Sequence, residues 1–294
     1  MTVPLVALLV SAAAAAQTPL FRSETELVRV PVVVTRNGSP VGGLTAADFE
    51  LRDGGVLQSL ETIHVEETPI DVVLVLDLSR SVRGSKLSAL HDAAGAFLDG
   101  LRPAVDGLSG AEGERAALLA FQEEVRLVEP LTSQLDRIRR ALQTVIARGS
   151  TALVDATYSA LRFLKPGPRS TVVVVFSDGV DSLSWLSPAQ VVEAAARSEA
   201  LVYAVAARQK GDPDDPFLGE LTRITGGRMW TARSERELRS RFLDVLNDIR
   251  SRYVLTYAPR GVAFAGWHAV DVRLKQGKGD VRARPGYHRA APPP

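Results

Sequence analysis

The chain has 294 residues, room for one large or two modest domains, and its 46% hydrophobic and 23% charged residues are the balance of a globular protein. Thirty-five lysines and arginines face 34 acids, so the net charge of +1 exerts no global pull toward nucleic acid or an anionic membrane. The absence of cysteine excludes disulfide scaffolds, thiolate metal sites, cysteine nucleophiles and lipid attachment at an N-terminal cysteine.

In chain order, residues 3–16 come first as an almost unbroken apolar run ending in five alanines. The run is short of the about 20 residues that span a bilayer. It fits a secretory signal over residues 1–16, with an Ala-x-Ala cleavage pattern at Ala14-Ala15-Ala16, although Met1 to Pro4 carry no Lys or Arg. An uncleaved anchor or a buried N-terminal helix is the alternative. No other apolar stretch approaches spanning length, so the expectation is a secreted or periplasmic protein that begins near Gln17 and has no membrane span after cleavage.

Residues 26–34 are rich in β-branched side chains and precede an Asn37-Gly38 turn, which predicts a strand. Shorter strands are expected at 49–52 and 59–65. The pattern changes at Pro69. Residues 71–77 are a continuous apolar run bounded by Asp71 and Asp77, the mark of a strand covered on both faces. Helices at 86–101, 135–146, 151–164, 188–197, 217–225 and 234–250 then alternate with strands at 115–121, 125–128, 171–176 and 201–206. Two helix starts carry capping boxes, Ser187 with Gln190 and Ser234 with Glu237. This alternation predicts an α/β fold, a doubly wound, mostly parallel sheet with helices on both faces. Strands return at 253–257, 267–275 and 281–287, and the proline-rich tail 291–294 is expected to be disordered.

The β-rich segments on either side differ in charge. Residues 22–69 hold four basic and eight acidic residues, whereas 251–289 hold eight basic and two acidic. Two or three strands are marginal alone. The expectation is one β-sandwich built from 22–69 and 251–290, with an α/β domain at 70–250 inserted between them. Two separate flaps on the α/β sheet are the alternative.

Three segments carry chemistry: Asp77-Leu78-Ser79-Arg80-Ser81, Arg148-Gly149-Ser150-Thr151, and Phe176-Ser177-Asp178-Gly179. All fall on the carboxyl side of predicted strands, where open parallel sheets place their ligands. Converged, they offer carboxylates and hydroxyls but no nitrogen or sulfur, which suits a hard dication, Mg2+ first, with Mn2+ or Ca2+ possible.

These residues resemble the metal-ion-dependent adhesion site (MIDAS) of the von Willebrand factor A domain over about residues 70–250. The Asp-x-Ser-x-Ser element stands as Asp77, Ser79 and Ser81, the loop threonine as Thr151 and the strand-end aspartate as Asp178. The flanks, with Gly43 to Phe49 leading and Tyr253 to Tyr257 and Arg284-Pro285-Gly286-Tyr287 closing, are similar to an exported bacterial family called VWFA-related, described from acidobacteria. The resemblance implies that Ser79 and Ser81 bind the ion directly through Oγ. It implies that Asp77 and Asp178 supply charge, directly or through water, and that Thr151 binds when ligand is present. One coordination position is then left for an outside carboxylate. Arg80 stands where many family members have glycine. Asp155 is expected on the exposed face of its helix and Asp181 as a turn residue. Trp185 is expected either at the rim of a binding face or packed over its own helix.

An enzyme finds little support in the motifs. His64, His268 and His288 lie in the flanks and His91 stands alone on the first predicted helix, none at metal-ligand spacing to another. No Gly-x-Ser-x-Gly elbow, phosphate-cradling loop or His-Glu-x-x-His occurs. A phosphatase reading of Asp77 would want a second acid where Ser79 stands. The chain therefore reads as a metal-dependent protein-binding module for an extracytoplasmic partner with an exposed Asp or Glu. A structural or envelope-assembly protein, with a purely structural ion or none, is the alternative. N-terminal sequencing of the protein from its native host is expected to begin at or near Gln17, and an intact Met1 would remove the export assignment.

Overall fold

The computed structural model describes residues 27–65, 68–103, 113–163, 167, 169–209, 211–263, 265–277 and 279–290. The predicted signal 1–16, the tail 291–294 and the first residue of the strand expected at 26–34 lie outside them. Five leading strands are β1 (Val28–Arg36), β2 (Ser39–Pro40), β3 (Phe49–Asp53), β4 (Val56–Gln58) and β5 (Leu60–Val65). The α/β region runs β6 (Ile70–Asp77), α1 (Ser85–Asp99), β7 (Arg115–Phe121), β8 (Val125–Thr132), α2 (Leu135–Thr144) and α3 (Leu153–Phe163). It continues through β9 (Ser170–Ser177), α4 (Pro188–Ala196), β10 (Leu201–Ala207), α5 (Pro216–Thr225), β11 (Met229–Ala232) and α6 (Glu235–Arg250). Four strands close the chain: β12 (Tyr253–Tyr257), β13 (Gly266–Leu274), β14 (Asp280–Ala283) and β15 (Gly286–Arg289).

The central sheet has the order β11-β10-β9-β6-β7-β8. Its neighbours pair in parallel except β8, which returns antiparallel to β7 at one edge. Side chains of β6 alternate between two cores. Val72, Leu74 and Leu76 pack with α1, α2 and α6, whereas Val73 and Val75 pack with α3, α4 and α5. Both faces are buried, which is why these strands read as unbroken apolar runs rather than alternating ones. From β6 the sheet grows one way through β7 and β8, then the other way from β9. The gap between the carboxyl ends of β6 and β9 is therefore the topological switch point, where such sheets form a ligand crevice.

The flanking strands from the two ends of the chain pair with each other. β1 lies antiparallel between β12 and β14, and β5 pairs with β12. A second sheet has the order β15-β13-β3-β4. Val30, Val32 and Val34 share a core with Phe49, Leu51, Leu255, Val270 and Val272. At its centre, fully buried Asp53 accepts hydrogen bonds from the hydroxyls of Tyr257 and Tyr287, each 2.9 Å, and lies 3.0 Å from His268 Nδ1. One carboxylate thus joins β3 to three strands of the closing segment. Burial and these bonds to Asp53 push the Tyr287 phenol up to about 12.

Some boundaries differ from the sequence reading, each for a local reason. Arg284 and Pro285 divide the strand expected at 281–287, because proline donates no ladder hydrogen bond. The strand at 125–128 continues to Thr132 along the edge, and the helix expected from 151 begins at Leu153, leaving Thr151 in a loop. The Ser187–Gln190 box forms in both directions. At Ser234 no side-chain cap forms, and Glu237 instead accepts from the Arg233 amide at 3.0 Å. Among the described residues no helix is long and apolar enough to cross a membrane.

Removing residues 251–294 takes both ladder partners from the Val30–Val34 stretch of β1. Hydrogen exchange of those amides is expected to change from slow in the full chain to fast in the truncated one. Retained slow exchange there would contradict the pairing.

Candidate functional site

Asp77 is the last residue of β6, and the chain then turns through a single 3-10 turn at Arg80–Val82 before α1. Gly84 caps the start of α1 at φ +66°, a conformation that costs glycine little. Asp178 follows β9, the parallel neighbour of β6, in which Phe176 pairs with Leu76. Loop contacts bring in the third segment. The Arg148 amide donates to Leu78 O (2.7 Å), and the Arg80 amide donates to Gly149 O (3.1 Å).

Four of the five sequence-nominated residues form one hydrogen-bonded chain. The Ser79 amide donates to Asp77 Oδ1 at 2.9 Å, and the hydroxyls of Ser79 and Ser81 lie 3.0 Å apart. The Ser81 hydroxyl donates to Asp178 Oδ1 at 2.7 Å. Thr151 is buried beside them. Its Oγ1 faces Gly179, the neighbour of Asp178, and would stand in ordinary contact, 3.4 Å, with a Cβ there. Burial pushes the Asp77 carboxyl above its ordinary range, against the pull of hydrogen bonds from Ser79 and Ser177, and the charge of Asp178 adds to the rise.

Three contributors escaped the sequence reading. The buried Ser177 hydroxyl donates to Asp77 Oδ2 at 2.7 Å, so both oxygens of that carboxylate are oriented. Lys86, in the first turn of α1, forms an ion pair with Asp178 Oδ2. Buried Arg208 pairs with Asp215 at 3.1 Å and reaches Gly179 O at 3.4 Å. Lys86 alone carried a signal, since an ammonium at a helix N-terminus opposes the macrodipole and needs a partner.

The loop after Asp178 is fastened rather than loose. Thr151 O accepts from the amides of Ser182 (2.9 Å) and Leu183 (3.2 Å). Asp181 accepts from the Val154 amide (3.2 Å) and the Ser184 hydroxyl (2.5 Å). Asp155, expected to face solvent, is half-buried and accepts from the amides of Trp185 (2.9 Å) and Leu186 (3.0 Å). Trp185 does not pack over its helix. It is 95% exposed, and Val180 and Leu183 of the same loop are exposed too. Arg80 is exposed as well.

The oxygen set fits a hard dication by chemistry and size. Mg2+ at 2.0–2.1 Å from octahedral oxygens needs adjacent donors about 2.9 Å apart. The 3.0 Å between the Ser79 and Ser81 hydroxyls meets that edge without rearrangement. Among the described residues no cluster of three or more His, Cys, Asp or Glu side chains offers an alternative metal site.

Residues 72–180 match the family model of the von Willebrand factor type A domain. The fold is similar to that of a von Willebrand factor type A protein from Catenulispora acidiphila, with TM-score 0.54 and 13% identity, covering 86% of this chain and 74% of that one. It is also similar to proximal thread matrix protein 1 of the mussel byssus, solved with a zinc-occupied MIDAS motif. That match has TM-score 0.55 and 18% identity, covering 68% of this chain and 50% of the other. The vWF domain of the type V pili tip protein Mfa5 from Porphyromonas gingivalis aligns with TM-score 0.50 and 11% identity, covering 67% of this chain and 98% of that one. No curated protein sequence matches the chain.

The raised Asp77 carboxyl has a consequence in metal-free solution. Its favourable contribution to folding is complete below the ordinary carboxylate value of about 4 and is lost as pH rises through the higher folded value. Asp77→Asn keeps an acceptor for the Ser79 amide but removes the buried charge. With chelator present, the variant is expected to melt above wild type at pH 7.5, with the gap closing near pH 4. A variant melting below wild type at pH 7.5 would contradict the buried-charge account.

Proposed function

From the match of residues 72–180 to the von Willebrand factor type A domain, we propose that the chain is an exported, metal-dependent protein-binding module and not an enzyme. Domains of this family mediate protein–protein interaction, and a relative carries zinc at its MIDAS motif. The observation that carries the reading is the hydrogen-bonded oxygen chain Asp77–Ser79–Ser81–Asp178 at the sheet's switch point. Ser79 and Ser81 would hold a divalent ion, Mg2+ by donor type, with Mn2+ or Ca2+ as substitutes. Asp77 and Asp178 would supply charge, and Thr151 would join when ligand is bound. A bound ion there would polarise an incoming oxygen. The chain's own residues orient Asp77 through Ser177 and the Ser79 amide, and they hold the loops that frame the opening.

The partner in this reading is an extracytoplasmic protein that offers an exposed Asp or Glu. One such charge-assisted contact contributes roughly 1.5–3 kcal/mol, so the surrounding surface must supply most of the affinity. Exposed Trp185, Leu183 and Val180 are the apolar candidates beside the site. Residues 22–69 and 251–290 would constitute one β-sandwich domain into which residues 70–250 are inserted. The opposite charges of the two flanks and their shared core support that division.

The test is capture from envelope and culture fractions of the native host, using wild type, Thr151→Ala, and wild type with chelator. A partner retained by wild type in Mg2+ and lost from both controls is the expected result. Equal retention in all three would show binding that ignores the metal.

A further inference from the structure

Lys86 occupies an unfavourable place for a cation. It lies in the first turn of α1, where the exposed amides and the helix dipole repel positive charge. The site supplies the compensation. Lys86 Nζ pairs with Asp178 Oδ2, while Asp178 Oδ1 takes the Ser81 hydroxyl, so both oxygens of this carboxylate are engaged. The Asp178 side chain is 1% exposed and that of Lys86 33%. The carboxylate is thus shut in and the ammonium sits over it at the surface. Arg208, the buried cation beside the same loop, is already neutralised by Asp215.

We propose that Lys86 is the resident counter-ion of this site and sets its cation affinity, holding Asp178 while no metal is present and opposing a divalent ion that arrives. The inference rests on the metal-binding reading above. Asp77 and Asp178 are the carboxylates of the hydrogen-bonded chain, and Lys86 is the ammonium paired with it. A dication satisfies both acids only by separating Lys86 from Asp178 or by sitting close to its like charge. The lysine stem is flexible and already a third exposed, so the ammonium can swing into water. A buried arginine fork could not leave so readily. Lys86 therefore acts as a competitor that lowers affinity, not as a lock that abolishes it.

The experiment titrates full-length protein with MnCl2 and MgCl2 by calorimetry, comparing wild type, Lys86→Met and Lys86→Gln. Melting curves in chelator for Lys86→Met, Asp178→Asn and the double variant accompany it. Both lysine variants are expected to bind Mn2+ at least about tenfold more tightly, because a like charge is removed from a low-dielectric site. In chelator, Lys86→Met is expected to melt below wild type, and Asp178→Asn to abolish that difference, as coupling between the two groups requires. Unchanged or weaker Mn2+ affinity in both lysine variants, with wild type binding normally, overturns the competition alone. No binding by any of the proteins overturns the metal reading, and the competition with it.

Discussion

The structure turns on two carboxylates brought to one place inside a protein that has little to neutralise them. β6 and β9 are parallel neighbours, so Asp77 and Asp178 emerge at the same end of the sheet. Asp77 is fully buried and the Asp178 side chain nearly so. Burying an ionised carboxylate is costly unless hydrogen bonds or a countercharge compensate. Here the Ser177 and Ser81 hydroxyls, the Ser79 amide and the Lys86 ammonium meet that need, and the paired Ser79 and Ser81 hydroxyls outline a dication's coordination edge.

A second buried acid shows what a purely structural solution looks like. Asp53 meets two tyrosine hydroxyls and a histidine nitrogen, all from strands of the closing segment. Its donors are neutral groups or a histidine, and they bind opposite ends of the chain together. Asp77 and Asp178 instead sit where strands give way to loops, beside serine hydroxyls and a partly exposed lysine. The two regions are mechanically linked. Helix α6 runs into β12 through Ser251 and Arg252 alone, Arg282 of β14 pairs with Asp248 of α6, and the guanidinium of Arg284 donates to the carbonyls of Ala196 and Ser198. Any displacement of α6 therefore bears directly on the flanking sheets.

Much of this was legible in the sequence where one residue's environment is set by close neighbours. Continuous apolar runs marked β6 and β9 because both faces of those strands are covered. The Asp-x-Ser-x-Ser spacing marked a turn whose side chains must converge, and the chain of hydrogen bonds from Asp77 to Asp178 follows from it. What escaped depends on distant partners. Ser177 looked like a strand terminus, yet its hydroxyl orients an acid 100 positions earlier. Lys86 looked like the polar start of a helix, and Asp155 like a solvent-facing residue, until the loop bearing Trp185 folded back onto it. β11 and β4 have four and three residues, too few for periodicity to show. The break between β14 and β15 falls at Pro285, which cannot donate a ladder hydrogen bond.

Anomalous diffraction from crystals grown with Mn2+ tests the central claim most directly. The account predicts a Mn2+ peak bounded by the Ser79 and Ser81 hydroxyl oxygens, with Lys86 Nζ moved away from Asp178 Oδ2. Density without such a peak at millimolar Mn2+, and with the Lys86–Asp178 pair intact, would contradict it.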